Sequence, residues 1–537
     1  MVYALEESDG NCLLASRIYK KKFPKRRNPD GRAFRALKTR FEKTGFLPTR
    51  AIIWIMLFTC TFFLYMIRIN LSIIILAMVE PKKGNITVTA ECLREVTPAN
   101  ISDHVIIKSK VSNYGEQYKW DSNLQGLILG SYFWGFFLTG IPGGILAGRF
   151  GPTRCITISF IVSGVLTLVG PWAAAIHPVV LIISRFLIGA VGGVVFPSLH
   201  FLVSRWAPPD EKGKFIGALL GGSLGTMITW PMLGAIIESF GWTWAFLSCG
   251  IFVICWTVLW FYLVADSPEV HPRISEEEKA YITDSLSGNI AKEKRQPPYK
   301  KMACSVPFWT LIILHFGNLW GLFFLMTAGP NFLSSVLGFT LGHTGFLAAL
   351  PYFARLIFGF LFGQLGDLII RKSWMNKTMI RKSFVLFSHI LPGVLLFVQT
   401  LTGCDVTWAI VLITLSLGSN GASTLTNLQN SQDLAPNFAG IIYGIANCIG
   451  STTGFISPAI VGYLTEKHNG LNEWHTIFYI GSSVYIGCGI IFCIFGSGDV
   501  QPWNDIVSTE KKEVDGIENI AFDSFETKKD MEVSNKV

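Results

Sequence analysis

Twelve apolar runs divide this chain of 537 residues, and each is about the ~20 residues a helix needs to cross hydrocarbon. They fall at roughly 51–79, 123–147, 155–176, 179–204, 213–238, 241–264, 306–332, 343–368, 380–401, 406–429, 438–464 and 475–497. In lipid every backbone polar group must be satisfied within its own segment, so runs of this length dictate helices. The expected fold is therefore an all-α membrane protein with twelve transmembrane helices. Only 15% of the residues are charged, against roughly 25% in soluble proteins, which excludes a soluble globular domain. The same balance excludes a disordered chain, a collagen and a nucleic-acid-binding domain. Seven of the eleven cysteines (Cys60, Cys155, Cys249, Cys255, Cys448, Cys488 and Cys493) lie in or at the ends of apolar runs and are expected to pack rather than bridge.

Charge in the connections sets the topology. The segment 1–50 is basic, with Lys20–Lys22 and Lys25–Arg27 as its densest runs, and no secretory leader is expected in it, because the first apolar run starts only at Ala51. Arg149 and Arg154, Arg205 with Lys212 and Lys214, Lys292–Arg295, and Arg371 with Lys372 occupy alternate connections. The intervening ones are nearly free of Lys and Arg. This alternation places both termini in the cytosol and makes inner-leaflet lipid the default partner of the net +9 charge. The spans divide into two six-helix bundles, 51–264 and 306–497, joined by a cytosolic linker at 265–305. A long outer or lumenal loop, 80–122, carries the glycosylation sequons of Asn85 and Asn100, and a polar tail follows at 498–537. Asn376 also heads a sequon but sits among cytosolic cations, so it should stay unmodified.

Ionisable residues inside the spans carry the functional signal, because each costs about 2.5–3.5 kcal/mol at mid-helix unless paired or used. Arg68 lies in the first span, Arg185 in the fourth and Arg355 in the eighth. No Asp or Glu occupies any span interior; Glu238, Asp367 and Asp433 stand at span ends. A buried guanidinium stays charged and forks onto carboxylate or phosphate, so an anionic substrate is the natural partner, shared by Arg68 and Arg185. Arg355 is a candidate third cation. His200 is a lesser candidate, and His315 reads as a packing residue.

An internal echo supports two related halves. Gly144-Ile-Leu-Ala-Gly-Arg-Phe-Gly-Pro-Thr-Arg154 follows the second span, and Gly363-Gln-Leu-Gly-Asp-Leu-Ile-Ile-Arg-Lys372 follows the eighth.

Several stretches together resemble a known family. They are Arg68-Ile-Asn-Leu-Ser72, Gly130-Ser-Tyr-Phe-Trp-Gly135 with Ile141-Pro-Gly-Gly144, Phe196-Pro-Ser-Leu-His200 with Trp206-Ala-Pro-Pro209, Asp433-Leu-Ala-Pro436 and Ser497-Gly-Asp-Val-Gln-Pro-Trp503. Across about 50–503 the chain is similar to the anion transporters of the sialin, vesicular glutamate transporter and sodium–phosphate cotransporter group, within the major facilitator superfamily. The resemblance implies alternating access by two six-helix bundles. It makes Arg68 and Arg185 the substrate-related arginines, with Asn70, His200 and Asn430 beside them. It makes Arg149, Arg154, Asp367 and Arg371 parts of a conformational latch. It also implies departures: sialin-like members carry carboxylates where this chain has Ile188 and Gly192, and glutamate transporters carry a histidine and an arginine near Leu129 and Asn318. A sodium-driven symporter of organic acids or inorganic phosphate fits these losses best. Alternatives are a proton-coupled, sialin-like lysosomal exporter of acidic sugars and a non-transporting anion receptor on the same scaffold.

No cofactor and no metal are expected, because no span carries a nucleophile–base pair, a metal-ligand cluster or a phosphate-binding Gly-Lys loop; the chain reads as no enzyme. It is expected to work as a monomer in the plasma or lysosomal membrane. Asp9, Leu13 and Leu14 match an acidic dileucine sorting signal.

Overall fold

A computed structural model describes residues 48–80, 92, 114–140, 142–208, 215, 218, 221–287 and 297–505. Asp9, Leu13, Leu14, Asn85 and Asn100 lie outside the described residues. Among those described, nine helices are long and apolar enough to cross a membrane. They are Thr49–Met78, Pro178–Trp206, Trp242–Leu263, Val306–Val336, Leu341–Ile370, Lys377–Gln399, Val406–Leu434, Ile441–Leu464 and Leu471–Phe495. Two bent pairs, Ser122–Gly140 with Pro142–Phe150 and Pro152–Leu168 with Gly170–Ile176, bring the count to eleven. The helix Gly221–Phe240 occupies the place of the remaining expected span, the fifth.

Local chemistry sets the breaks between spans. Pro152 and Pro178 open the third and fourth, where a missing N–H costs no helical bond. Gly151 and Gly241 both turn at φ +90, a conformation that a side chain resists, and they allow the chain to reverse within one residue. Asp266 follows the sixth span and serves the third. Its Oδ1 accepts from the Thr153 backbone N at 2.8 Å and caps that helix. Glu278, on the linker helix Glu276–Ser287, does the same for the first span, accepting from the N–H groups of Thr49 at 3.1 Å and Arg50 at 3.2 Å.

Packing repeats between the halves. The second span lies on the fourth, the first on the fifth and the third on the sixth; likewise the eighth lies on the tenth, the seventh on the eleventh and the ninth on the twelfth. Across the halves the second meets the eleventh and the fifth meets the eighth. These are the same contact seen twice, once each half is exchanged for the other, and they give the two-bundle architecture its pseudo-symmetry.

The two ends of the molecule differ. At the end remote from the basic connections the halves are shut. Ser122 Oγ donates to Thr465 O at 3.1 Å, the Gly342 N–H donates to Glu238 Oε1 at 2.8 Å, and Trp230 meets Tyr352 ring to ring at 5.2 Å. A disulfide between Cys92 and Cys404 ties the loop after the first span to the loop between the ninth and tenth. The seven cysteines expected to pack are free; this bridge involves two that the apolar pattern did not single out. At the basic end, Pro142–Phe150 and Val195–Trp206 pack within the first half, and Lys377–Val385 and Asn427–Leu434 within the second. The cleft between the halves therefore opens toward the basic end.

Candidate functional site

The first span carries Arg68 to the inner face of its bundle, where it is 5% exposed. Aromatic rings surround the guanidinium: Tyr65 at 4.7 Å, Tyr132 at 5.4 Å, Phe133 at 5.9 Å and Phe136 at 4.6 Å from the first half, and Phe323 at 5.6 Å from the second. Ring faces attract the cation without neutralising it. Arg68 Nε donates to Tyr132 OH at 3.4 Å, and Nη2 is buried with no partner. Among the described residues no carboxylate pairs with Arg68, Arg185 or Arg355. A buried donor on a permanent cation, with no counter-ion among the described residues, is chemistry suited to an incoming oxyanion.

Arg185 is close by but turned differently. It is 2% exposed, and its terminal nitrogens point at the first span. Nη1 donates to Ile67 O at 3.2 Å and Asn70 Oδ1 at 3.1 Å, and Nη2 donates to Arg68 O at 3.1 Å. The two arginines meet at Tyr132, whose ring centre is 5.4 Å from the Cζ of each. They are thus neighbours, as expected, yet their forks do not converge on one space. Asn70 is fully buried as an Arg185 partner.

Arg355 sits half-buried in the second half. Its Nε donates to Asn420 Oδ1 at 3.1 Å and its Nη2 approaches Ser423 Oγ at 3.4 Å. Both partners lie where the tenth span tightens into a 3-10 turn, Asn420–Leu425, beside a π turn at Leu386–Ile390 in the ninth. Such departures from α geometry are frequent at functional positions. Polar bonding continues from there: Asn420 Nδ2 donates to Ser388 O at 2.8 Å, and Ser388 Oγ and His389 Nδ1 are 2.8 Å apart. Thr426 Oγ1 donates to Asn427 Oδ1 at 3.2 Å, and Asn427 Nδ2 bonds His315 Nδ1 at 2.7 Å. His315 is buried, with Nε2 unpartnered and its ring 5.4 Å from Tyr443. His315 is thus part of a buried polar network and not merely packed among apolar side chains.

The remaining candidates are dispersed. His200 is exposed in the cleft, with its ring 6.4 Å from that of Tyr443 across the halves. Asn430 is buried at the basic end, where its Nδ2 donates to Ser497 O at 2.8 Å, and it is packed against the end of the twelfth span. Arg149 and Arg154 are exposed at the basic end, and the acid found beside their loop is Asp266. Asp367 and Arg371 lie on the eighth-span helix Leu341–Arg371. In the same region, Arg381 pairs with Asp433 at 2.6 Å and donates to Leu425 O at 2.7 Å. The rings about Arg68 are what the sequence pattern did not single out. Tyr65 was within its reach, standing three residues before Arg68 on the same helical face. Phe323 comes from another span, and spacing along the chain gives no sign of it.

Comparisons with known proteins agree with this architecture. The family model described as Major Facilitator Superfamily matches residues 53–458. A second model, described as a helix-turn-helix domain, matches residues 7–48, nearly all outside the described residues. The chain is 35% identical to sialin of Homo sapiens over 444 residues, covering 82% of this chain and 88% of that one. It is 33% identical to a putative inorganic phosphate cotransporter of Drosophila melanogaster, covering 86% of this chain and 88% of the relative. It is also 33% identical to vesicular glutamate transporter 1 of Xenopus tropicalis, with 72% and 68% covered. Among solved structures, a D-xylose–proton symporter superposes with TM-score 0.58 at 14% identity, covering 84% of this chain and 99% of that one. With two pseudo-symmetric bundles, a cleft between them and a family model spanning most of the chain, this is a multi-pass membrane transporter belonging to the major facilitator superfamily.

Proposed function

We propose that the chain is a secondary active symporter of small anions, organic acids or inorganic phosphate, and that Arg68 is the substrate's first ligand. The observation that carries this reading is the Nη2 of Arg68: a buried, unpartnered donor on a fixed cation, with no carboxylate beside it among the described residues. Arg355, with neutral partners only, is the cation on the opposite half. An anion between them draws the halves together, which is what alternating access requires of a substrate. The names of the relatives, sialin, phosphate cotransporter and glutamate transporter, support anionic cargo. The work is transport rather than catalysis, and one chain holds the whole cleft, so the protein acts as a monomer.

Sodium is the proposed coupling ion. A proton carrier in the membrane wants a carboxylate, or a histidine whose charged form has a partner. Ile188 packs in the core and Gly192 lies against Tyr132, so neither offers a carboxylate. The proton is the second reading, favoured by the unpartnered Nε2 of buried His315 and by exposed His200. Purified protein in liposomes should take up a member of a panel of phosphate, an acidic sugar and a dicarboxylic amino acid when an inward sodium gradient is imposed at equal pH. Uptake driven by a proton gradient in sodium-free buffer would replace sodium by the proton. Failure to move any anion under either gradient would defeat the transport reading.

The basic end is proposed to be cytosolic, with both termini there, in the plasma or lysosomal membrane. Asn85 and Asn100 are then the glycosylated residues. A glycosidase should shift the gel mobility of the wild type and leave an Asn85→Gln/Asn100→Gln variant unmoved. Glycan on Asn376 would invert the topology. Replacing Leu13 and Leu14 by Ala should bring a lysosomal pool to the cell surface.

A further inference from the structure

We infer that Arg185 is a positioning residue, one that clamps the first span so that Arg68 is presented to the anion, and is not itself an anion ligand. The inference rests on Arg68 being the anion's ligand. Its basis is where the Arg185 fork is spent. Ile67 O, Arg68 O and Asn70 Oδ1 bracket Arg68 along the first span, and Arg185 donates to all three within 3.2 Å. A carbonyl has two lone pairs, so the helix keeps its own bonds at these positions and accepts a second donor on the same oxygens. The planar fork suits this arrangement, and a lysine's point charge does not reproduce it. Arg185 Nε is buried without a partner, but a single N–H there offers an anion one bond and no fork.

The fourth span is itself held firmly. A methyl group on Gly189 would collide with the carbonyl of Tyr132, and one on Gly135 with the carbonyl of Phe186, so the second and fourth spans touch backbone to backbone. Arg185 stands one turn before Gly189 on that fixed surface. Tyr132, from the second span, sits between the two guanidinium groups and accepts from Arg68 Nε at 3.4 Å. The backbone and side chain of Arg68 are thus held from two directions, while Nη2 has no partner. For an anion to fork onto Arg185 it would have to displace bonds to the first span and pass Tyr132. One bound at Arg68 Nη2 displaces none.

Asn70 separates the two roles, because it touches Arg185 and carries no charge. Asn70→Ala, Arg185→Gln and their combination would be compared in liposome uptake with Arg68→Ala as reference. A clamp predicts that Asn70→Ala raises KM threefold or more, and that the double variant is no worse than Arg185→Gln alone. It also predicts that the preference between monovalent and divalent anions stays within twofold in Arg185→Gln, since no ligand cation has been lost. Additive effects, or a fivefold shift away from divalent anions, would make Arg185 a ligand and overturn the inference. A readout without substrate runs in parallel. Spin labels at Leu76 and Val180 should give one narrow distance in the wild type and in Arg68→Ala, and a broadened one in Asn70→Ala and Arg185→Gln. Unchanged distances in both clamp variants would also overturn it. This arm decides the clamp even if no anion in the panel is carried, so its failure is distinct from failure of the transport reading. If Arg185→Gln does not fold, Asn70→Ala still tests the clamp: an unchanged KM together with an unchanged spin-label distance would overturn it.

Discussion

Arg68→Ala is expected to abolish saturable anion uptake while the protein still reaches the membrane. The expected loss comes from what the side chain offers. A hydrogen bond involving a charged group contributes about 1.5–3 kcal/mol, which is roughly 10- to 150-fold in affinity for a single bond. Losing the cation also removes Nη2, a buried terminal donor without a partner. Folding should survive, because no described carboxylate relies on Arg68 for its charge balance. The hydroxyl of Tyr132 loses one long bond of 3.4 Å, and the surrounding aromatic side chains still pack on one another. Arg68→Lys should rescue poorly, since an ammonium cannot both reach Tyr132 OH and leave a second planar donor for the substrate. Uptake normalised to surface protein is the measurement. Wild-type rates in Arg68→Ala would remove Arg68 from the site and with it the basis for an anion.

The spans were legible in the sequence because the bilayer is an unforgiving solvent: length and apolarity alone determine a crossing helix. The intramembrane arginines were legible for the same reason, since a charge in hydrocarbon stands out wherever it falls. Their partners were not. Arg68 and Arg185 are equal in a hydropathy reading, yet one ends in an unpartnered terminal nitrogen and the other in three acceptors on a neighbouring span. That difference arises from which way each helix faces, which is set by contacts far apart in the chain. His315 was undervalued because its network draws on spans seven, nine and ten, through Ser388, Thr426 and Asn427, which read separately as ordinary polar residues in apolar runs. The bridge between Cys92 and Cys404 spans 312 residues and gives no local sign at all.

Leucine in place of glycine at the closed end is expected to have an effect of similar size. Closure there brings backbone against backbone: a Cβ on Gly126 would stand 2.5 Å from Pro458 O, and one on Gly462 would stand 2.6 Å from Ser122 O. At the related contact, a methyl on Gly345 would run into the Trp230 carbonyl. A leucine at Gly126 or Gly345 therefore cannot be accommodated by a side-chain rotation, and the halves must separate at that end. The pseudo-symmetry sets the direction of the response. The contacts between the second and eleventh spans and between the fifth and eighth are what hold this end shut, whereas the helices of the basic end pack within their own halves and are free to approach. Gly126→Leu and Gly345→Leu should thus shift the population toward the state open at the far end, lowering uptake at least tenfold while anion binding from that side persists. A reporter cysteine near Gln125 should react faster with an impermeant thiol reagent, and one near His200 more slowly. Gly140→Leu is the control: it lies on the same span with nothing within 4 Å of its Cβ position, and it should transport normally. Since Cys92 and Cys404 join the two halves across this face, the labelling is to be read with and without reductant. If only the reduced protein opens, the bridge limits the motion; if Gly126→Leu transports like Gly140→Leu, closure of this end is no part of the cycle.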